Sequence, residues 1–233
     1  MHIPDGYLGP QTYGAAYAVT VPFWAIASRR VSGMLRSRQV PVLALGAGFS
    51  FLIMMFNVPI PGGTTGHAVG AVLVAVLLGP WAACIAVSVA LIVQALLFGD
   101  GGITAIGANC FNMGVIMPFV GYGVYRLISG RSESTSRRRW IGAAVGGYVG
   151  LNAAALATGI ELGIQPLLAH DAAGHALYAP YPLSVAVPVM AAEHLLLFGF
   201  VEAIVTGMVV VYLQRADASL LEGASPPERK VEA

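Results

Sequence analysis

The stretch from His67 to Phe98 reads HAVGAVLVAVLLGPWAACIAVSVALIVQALLF, without a single Asp, Glu, Lys or Arg. A bilayer core of roughly 30 Å takes about 20 apolar residues of helix. The run is therefore too long for one crossing, and Gly79-Pro80 divides it where a proline cannot continue a helix. It reads as a short helix over 67–78 followed by a full span over 81–98. Outward from this pair, apolar runs predict further spans over 11–28, 40–56, 103–128, 140–164 and 183–213. Segment 57–66, with two prolines and three glycines, cannot be regular helix.

Composition agrees with seven spans. The chain of 233 residues is 57% hydrophobic and only 10% charged, against about 25% charged residues in a soluble domain. The expected fold is an all-α polytopic membrane protein with a transmembrane domain over 1–213. A Pro/Glu/Ala-rich segment over 214–233 is expected to be a disordered cytoplasmic tail. Cys84 and Cys110 lie inside apolar runs and read as small buried hydrophobes. No basic residue precedes the first run, so it does not read as a cleaved signal.

Charge sets the orientation. With the N-terminus outside and seven spans, all twelve Lys and Arg residues fall on the cytoplasmic side: Arg29, Arg30, Arg36, Arg38, Arg126, Arg131, Arg137, Arg138, Arg139, Arg215, Arg229 and Lys230. That is the distribution the positive-inside rule demands, and an even number of spans would break it. The expected setting is a cell (inner) membrane, crossed several times, with the N-terminus extracytoplasmic and the C-terminus cytoplasmic.

This topology puts the first residues, the 57–66 loop, the 99–102 loop and the 165–182 loop on one side, with His67 at the end of its span. The chain begins Met1-His2, and Met1 is expected to be retained because its removal needs a small second residue. The Met1 amine, the His2 amide and the His2 imidazole can close two small chelate rings, with the His67 imidazole as a fourth nitrogen. A planar nitrogen set suits Ni(II) or Cu(II) better than zinc, which prefers a tetrahedron. Thr64 and Thr65 are placed to orient His67 through hydrogen bonds. Taken singly, a His at position 2 is more often an exposed residue, and a His at a span end more often a structural interfacial one.

Three segments carry a resemblance: Met1-His2-Ile3-Pro4-Asp5-Gly6-Tyr7-Leu8, Val58-Pro59-Ile60-Pro61-Gly62-Gly63-Thr64-Thr65-Gly66-His67, and Gly107-Ala108-Asn109-Cys110-Phe111-Asn112-Met113-Gly114. The chain resembles the NikM/CbiM family, the substrate-capture subunits of nickel and cobalt energy-coupling-factor (ECF) transporters, over residues 1–213. The resemblance implies a metal held by the Met1 amine, the His2 amide nitrogen and side chain, and the His67 side chain. It implies an N-terminal segment folded into the bundle, and a subunit that reorients in the membrane. Pro4-Asp5-Gly6 resembles the nickel branch, where the cobalt branch more often has Met-Glu-Gly, so the transported ligand is Ni(II), with Co(II) as the alternative. The implied partners are a transmembrane coupling protein, cytoplasmic ATPase subunits and a small additional membrane component, with no nucleic acid.

The sequence contains no Walker A motif, and its only lysine is Lys230. ATP hydrolysis is therefore expected from partner subunits rather than from this chain. An ion-gradient-driven secondary metal transporter or channel is the rival reading, and Glu161, Glu193 and Glu202 are poorly placed to serve it. A membrane enzyme lacks support, because no HExxH motif occurs. Asn109 and Asn112, three apart on one helical face, read as a brace for the N-terminal segment or as ordinary interhelical bonds. Gln94 is expected to bond between helices. Glu193, His194 and Glu202 read as packing or subunit contacts, with a proton relay as the alternative. His170 and His175 read as solvated loop residues or as metal gatherers. Small-residue pairs (Ala44 and Gly48, Gly142 and Gly146, Gly146 and Gly150) permit close helix approach.

Overall fold

The computed structural model describes residues 1–34 and 39–221. Arg36, Arg38, Arg229, Lys230 and the 222–233 part of the expected tail lie outside the described residues. Within them the chain is mostly helical: α1 (Pro10–Met34), α2 (Gln39–Met54), α3 (Ala71–Leu78), α4 (Pro80–Phe98), α5 (106–129), α6 (Arg137–Leu168) and α7 (Leu183–Ala216). Of these, α4, α6 and α7 are long and apolar enough to cross a membrane by length and composition. A two-stranded hairpin, β1 (Val58–Pro59) and β2 (Thr65–Gly66), joins α2 to α3. Gln214, Arg215 and Ala216, expected in the tail, complete α7, and a single 3-10 turn follows at Ala218–Leu221.

The apolar sequence of α3 explains its place. A helix that is hydrophobic all round belongs inside, and every residue of α3 except Leu77 is buried. It forms the axis of the bundle, with α2, α4, α5, α6 and α7 around it. Close approach of α5 and α6 depends on glycine: a Cβ on Gly146 would stand 2.5 Å from the Gly121 carbonyl oxygen, and one on Gly150 would stand 2.7 Å from that of Met117. Two of the small-residue pairs therefore serve packing inside the bundle, whereas Ala44 and Gly48 lie on the exposed face of α2. Leu45, Leu52, Leu127, Leu196 and Met208 are also exposed, an apolar exterior suited to lipid rather than water.

The helix expected over 67–78 begins only at Ala71. His67–Gly70 are not helical, and the freed N–H groups of Val69 and Gly70 donate to the Glu202 carboxylate of α7 at 2.8 and 3.0 Å. Backbone donors buried in a membrane bundle need partners, and Glu202 supplies them, with Thr206 donating to it in turn. Glu202 is a helix-end clamp.

Three helices depart from α geometry: α4 widens into a π turn at Gln94–Phe98, α5 at Cys110–Ile116 and α7 at His194–Phe198. Such bulges occur often at functional sites. All three lie around the N-terminal segment. That segment, the hairpin, the 99–105 loop and the 165–182 loop meet at one end of the bundle. Gly102 donates to Ile3 (2.8 Å), Ala179 to Tyr7 (3.0 Å) and Gly9 to Gln165 Oε1 (2.9 Å). None of these segments carries Lys or Arg. The described basic residues sit at the opposite helix ends, where Arg30 lies 4.7 Å over the Trp81 ring and Arg139 donates to the Tyr125 hydroxyl.

Candidate metal centre

The chain enters the bundle with its first residues. Met1 and Ile3 are fully buried and His2 is 2% exposed. Both backbone groups of Ile3 are held by the Asn109 amide: the N–H donates to Oδ1 (2.9 Å), and Nδ2 donates to the carbonyl (3.1 Å). The Asp5 carboxylate accepts the N–H groups of Ile103 and Thr104. The Thr104 hydroxyl, above all, holds that carboxyl below its usual range. The N-terminal segment is thus clamped at consecutive points onto α5 and the loop before it.

The hairpin supplies the opposite wall. Pro61 and Gly62 form its corner, with Gly62 at φ +83° and the Gly63 N–H on the Ile60 carbonyl (3.1 Å). Proline then glycine is what such a turn selects. Thr65 follows: its hydroxyl accepts from the Met1 amine (2.9 Å) and the His2 N–H (3.2 Å), and its carbonyl also accepts from the amine. The Thr64 hydroxyl donates to the His2 carbonyl. Thr64 and Thr65, expected to orient His67, instead grip Met1 and His2, because the hairpin lies against the N-terminal segment. His67 is oriented by its own neighbour, with Nδ1 3.0 Å from the Ala68 carbonyl.

The two imidazoles meet. The His2 and His67 rings stack with centroids 4.6 Å apart and planes 27° apart. Gln94 fixes which His2 nitrogen is free. Its amide donates to the Phe51 carbonyl (3.1 Å), so its Oε1 faces His2 Nε2 (3.1 Å) and takes that proton. His2 Nδ1 keeps its lone pair, 3.5 Å from Asp100 Oδ1 and without a hydrogen-bond partner among the described residues. Nδ1 is also the nitrogen that closes a six-membered ring with the His2 amide nitrogen. The Ala68 carbonyl likewise takes the Nδ1 proton of His67 and leaves Nε2 unpartnered. Buried polar atoms are rarely left so.

Burial disfavours the charged forms of these nitrogens. Burial drives the Met1 amine well below its usual value, while the carboxylates of Asp100 and Glu193 pull partly the other way. Burial and then the neighbouring amine lower His2 to about 3, with the Gln94 bond opposing. Neutral amine and imidazole nitrogens are the forms that ligate metals. Among the described residues no three His, Cys, Asp or Glu side chains form a metal-binding group. A donor set here has to draw on the terminal and backbone nitrogens. A cavity of about 420 Å³, lined by His2, Pro4, Thr64, Thr65 and Asp100, leads to the spot.

Not every expected residue joins the site. Asn112 donates to Thr158 (3.1 Å) and Glu161 (2.7 Å) of α6, because the π turn starting at Cys110 rotates it away from Asn109. His175 is 80% exposed, and its Nδ1 faces Asp171 at 3.1 Å. Gln94 bonds between helices as expected, through Phe51 of α2, whereas its contact with His2 and the place of Asp100 are what the sequence reading missed. An amide inside an apolar run and an acid in a glycine loop were the available signals.

An apolar helical bundle with a nitrogen-rich pocket around its first residues fits a membrane protein that binds a transition-metal ion. The cobalt uptake substrate-specific transmembrane region family (CbiM) matches residues 2–220, and the chain belongs to it. It is 56% identical to the fused nickel transport protein NikMN of Rhodobacter capsulatus, over 98% of this chain and 67% of that one. It is 51% identical to the probable fused nickel transport protein LarMN of Lactiplantibacillus plantarum, over 92% of this chain and 65% of that one. The chain thus spans about two thirds of the length of these fused relatives. A crystal structure of a truncated transition metal transporter is 56% identical with a TM-score of 0.89, covering 93% of this chain and 99% of that one.

Proposed function

We propose that this chain captures Ni(II) at the extracytoplasmic face of a cell membrane, as the substrate-binding subunit of an ECF-type uptake transporter. The four donors are the Met1 amine, the His2 amide nitrogen, His2 Nδ1 and His67 Nε2. One observation carries the reading: two stacked, buried imidazoles each keep an unpartnered ring nitrogen beside the buried Met1 terminus. The Pro4-Asp5-Gly6 sequence and the names of the nickel relatives favour nickel over Co(II). Segregation of basic residues to the far helix ends supports seven spans with the N-terminus outside. ATP is hydrolysed by cytoplasmic partner subunits, acting through a transmembrane coupling protein and a small additional membrane component.

Binding costs the apo contacts of Thr65. The metal replaces the protons that Thr65 Oγ1 accepts, one of them the amide proton of His2. An acidic metal is needed to displace that proton, which restricts the site to ions such as Ni(II). The cation enters by the cavity under Asp100, whose carboxylate attracts it before the nitrogens close around it.

The test is one residue. A chain purified with a C-terminal tag binds nickel, with the absorption of a planar diamagnetic ion. A chain extended by a single residue before Met1 moves the amine out of the chelate and loses high-affinity binding. Undiminished nickel affinity in the extended chain removes the amine from the site.

A further inference from the structure

Asn112 leaves one bonding demand unmet. Its side chain is fully buried in the π turn of α5. Nδ2 donates to Thr158 Oγ1 (3.1 Å) and to Glu161 Oε2 (2.7 Å), both on α6. The Thr158 hydroxyl gives its own proton to the Ala154 carbonyl (3.1 Å), so toward Asn112 it can only accept. That fixes the amide, with Nδ2 on Thr158 and Glu161 and Oδ1 left over. Oδ1 is buried without a hydrogen-bond partner among the described residues. An unsatisfied buried acceptor is costly.

Glu161 has the complementary deficit. It lies in an apolar span, partly buried, and among the described residues its carboxyl group bonds to Asn112 alone. An ionised carboxylate at such a place needs a cation or several donors. The described basic residues are all at the other end of the bundle. The titratable groups on the surrounding elements are turned elsewhere. Cys110 of α5 faces the Ser88 carbonyl, Asp5 is bonded to Ile103 and Thr104, and the Tyr17 hydroxyl of α1 donates to the Ile103 carbonyl. Tyr7 and Tyr13 pack on the apolar cluster that contains Leu162. Gly163 of α6 meets Leu183 of α7, and Gly159 meets Val187 and Met190. The two helices are thus antiparallel here, and Glu193, His194 and Glu202 of α7 come further along, beyond Gly159.

We propose that Glu161 is a proton-binding site, whose acid form closes a two-bond pair with the Asn112 carboxamide and locks α5 to α6. Nδ2 donates to one carboxyl oxygen, and the Glu161 O–H donates to Oδ1. One proton meets both demands. It comes from water, an O–H bond being all that forms, and returns to water when the site ionises. Asn109, three residues before Asn112, holds Ile3. The proton therefore ties the mount of the N-terminal segment to α6. The folded chain holds this proton more tightly than the unfolded one. The lock is accordingly present on the acid side and is lost as the pH rises through the titration of the site. Glu161 is seven residues from the end of α6 at Leu168, so in the orientation proposed above it reads the pH outside.

The test uses the metal-free full chain in detergent, and its outcome is independent of the capture reading. The infrared difference between the unsubstituted chain and E161Q at neutral pH is expected to contain the carbonyl stretch of a hydrogen-bonded carboxylic acid. That band fades as the pH is raised and returns as it is lowered. E161Q can make the same two bonds, its amide donating to Oδ1, and is expected to melt with the unsubstituted chain at neutral pH. E161A loses both bonds and is expected to melt about 3 °C lower. At alkaline pH the unsubstituted chain moves toward E161A, whereas E161Q does not follow. A carboxylate band in place of the acid band overturns the proposal and leaves Oδ1 to a water or a bound cation. So does E161Q melting as low as E161A, or losing stability with pH in step with the unsubstituted chain.

Discussion

Two segments at the same end of the bundle carry histidines, and only one of them buries its ring against a second imidazole. Segment 1–5 presents His2, and the 165–182 loop presents His170 and His175. In the loop, Asp171 accepts the N–H groups of Ala173 and His175 at 2.8 Å and faces the ring of His175 as well. The turn satisfies itself in water and leaves nothing directed. In the N-terminal segment, the N–H and carbonyl groups of His2 and Ile3 are held by distant side chains, and one His2 ring nitrogen is left over. What separates them is not the residue type. It is burial that leaves a lone pair with nothing to bond, a state only the packed end of a bundle can hold.

Substitutions can break this contrast. His2→Ala or His67→Ala is expected to abolish nickel binding measurable by calorimetry, with circular dichroism unchanged. Retained binding in either removes that residue from the donor set. Gln94→Leu leaves every proposed donor in place but frees the His2 tautomer. Affinity is expected to fall about 10–100-fold, as for other residues that orient a ligand. An unaltered titration curve shows that the tautomer is fixed in another way.

Proton counting sharpens the contrast further. With the amine and both imidazoles neutral before binding, only the His2 amide gives up a proton. About one proton is released per nickel at neutral pH, read from calorimetry in buffers of different ionisation enthalpy. A count of two places a charged Met1 amine in the apo fold. At the small end, His175→Ala is expected to leave nickel affinity and release unchanged, within error. A clear loss of affinity makes the loop part of the capture path.

The proposed donors are easier to read in the sequence than the groups around them, for a reason of distance. Met1 and His2 are adjacent, so their chelate is a local property. His67 follows a loop whose prolines and glycines mark it plainly. The groups that hold His2 come from Thr65, Gln94 and, through Ile3, Asn109. Such long-range pairings exist only once the helices pack. Periodicity also failed where the helix did: the π turn at Cys110 separates Asn109 from Asn112. The same limit hid Glu202, which reads as a costly charge in an apolar span until the non-helical residues before α3 supply its two N–H donors.

That clamp makes α7 a connecting rod. Glu202 grips Val69 and Gly70, only two residues past His67, whereas Met1–Ile3 are pinned to Asn109 of α5. The donors are therefore mounted on different helices. A slide of α7 against α5 by one residue of rise, about 1.5 Å, is comparable to a metal–nitrogen bond of roughly 2 Å. Axial displacement of one rod against the other would part the proposed His67 donor from the other three nitrogens.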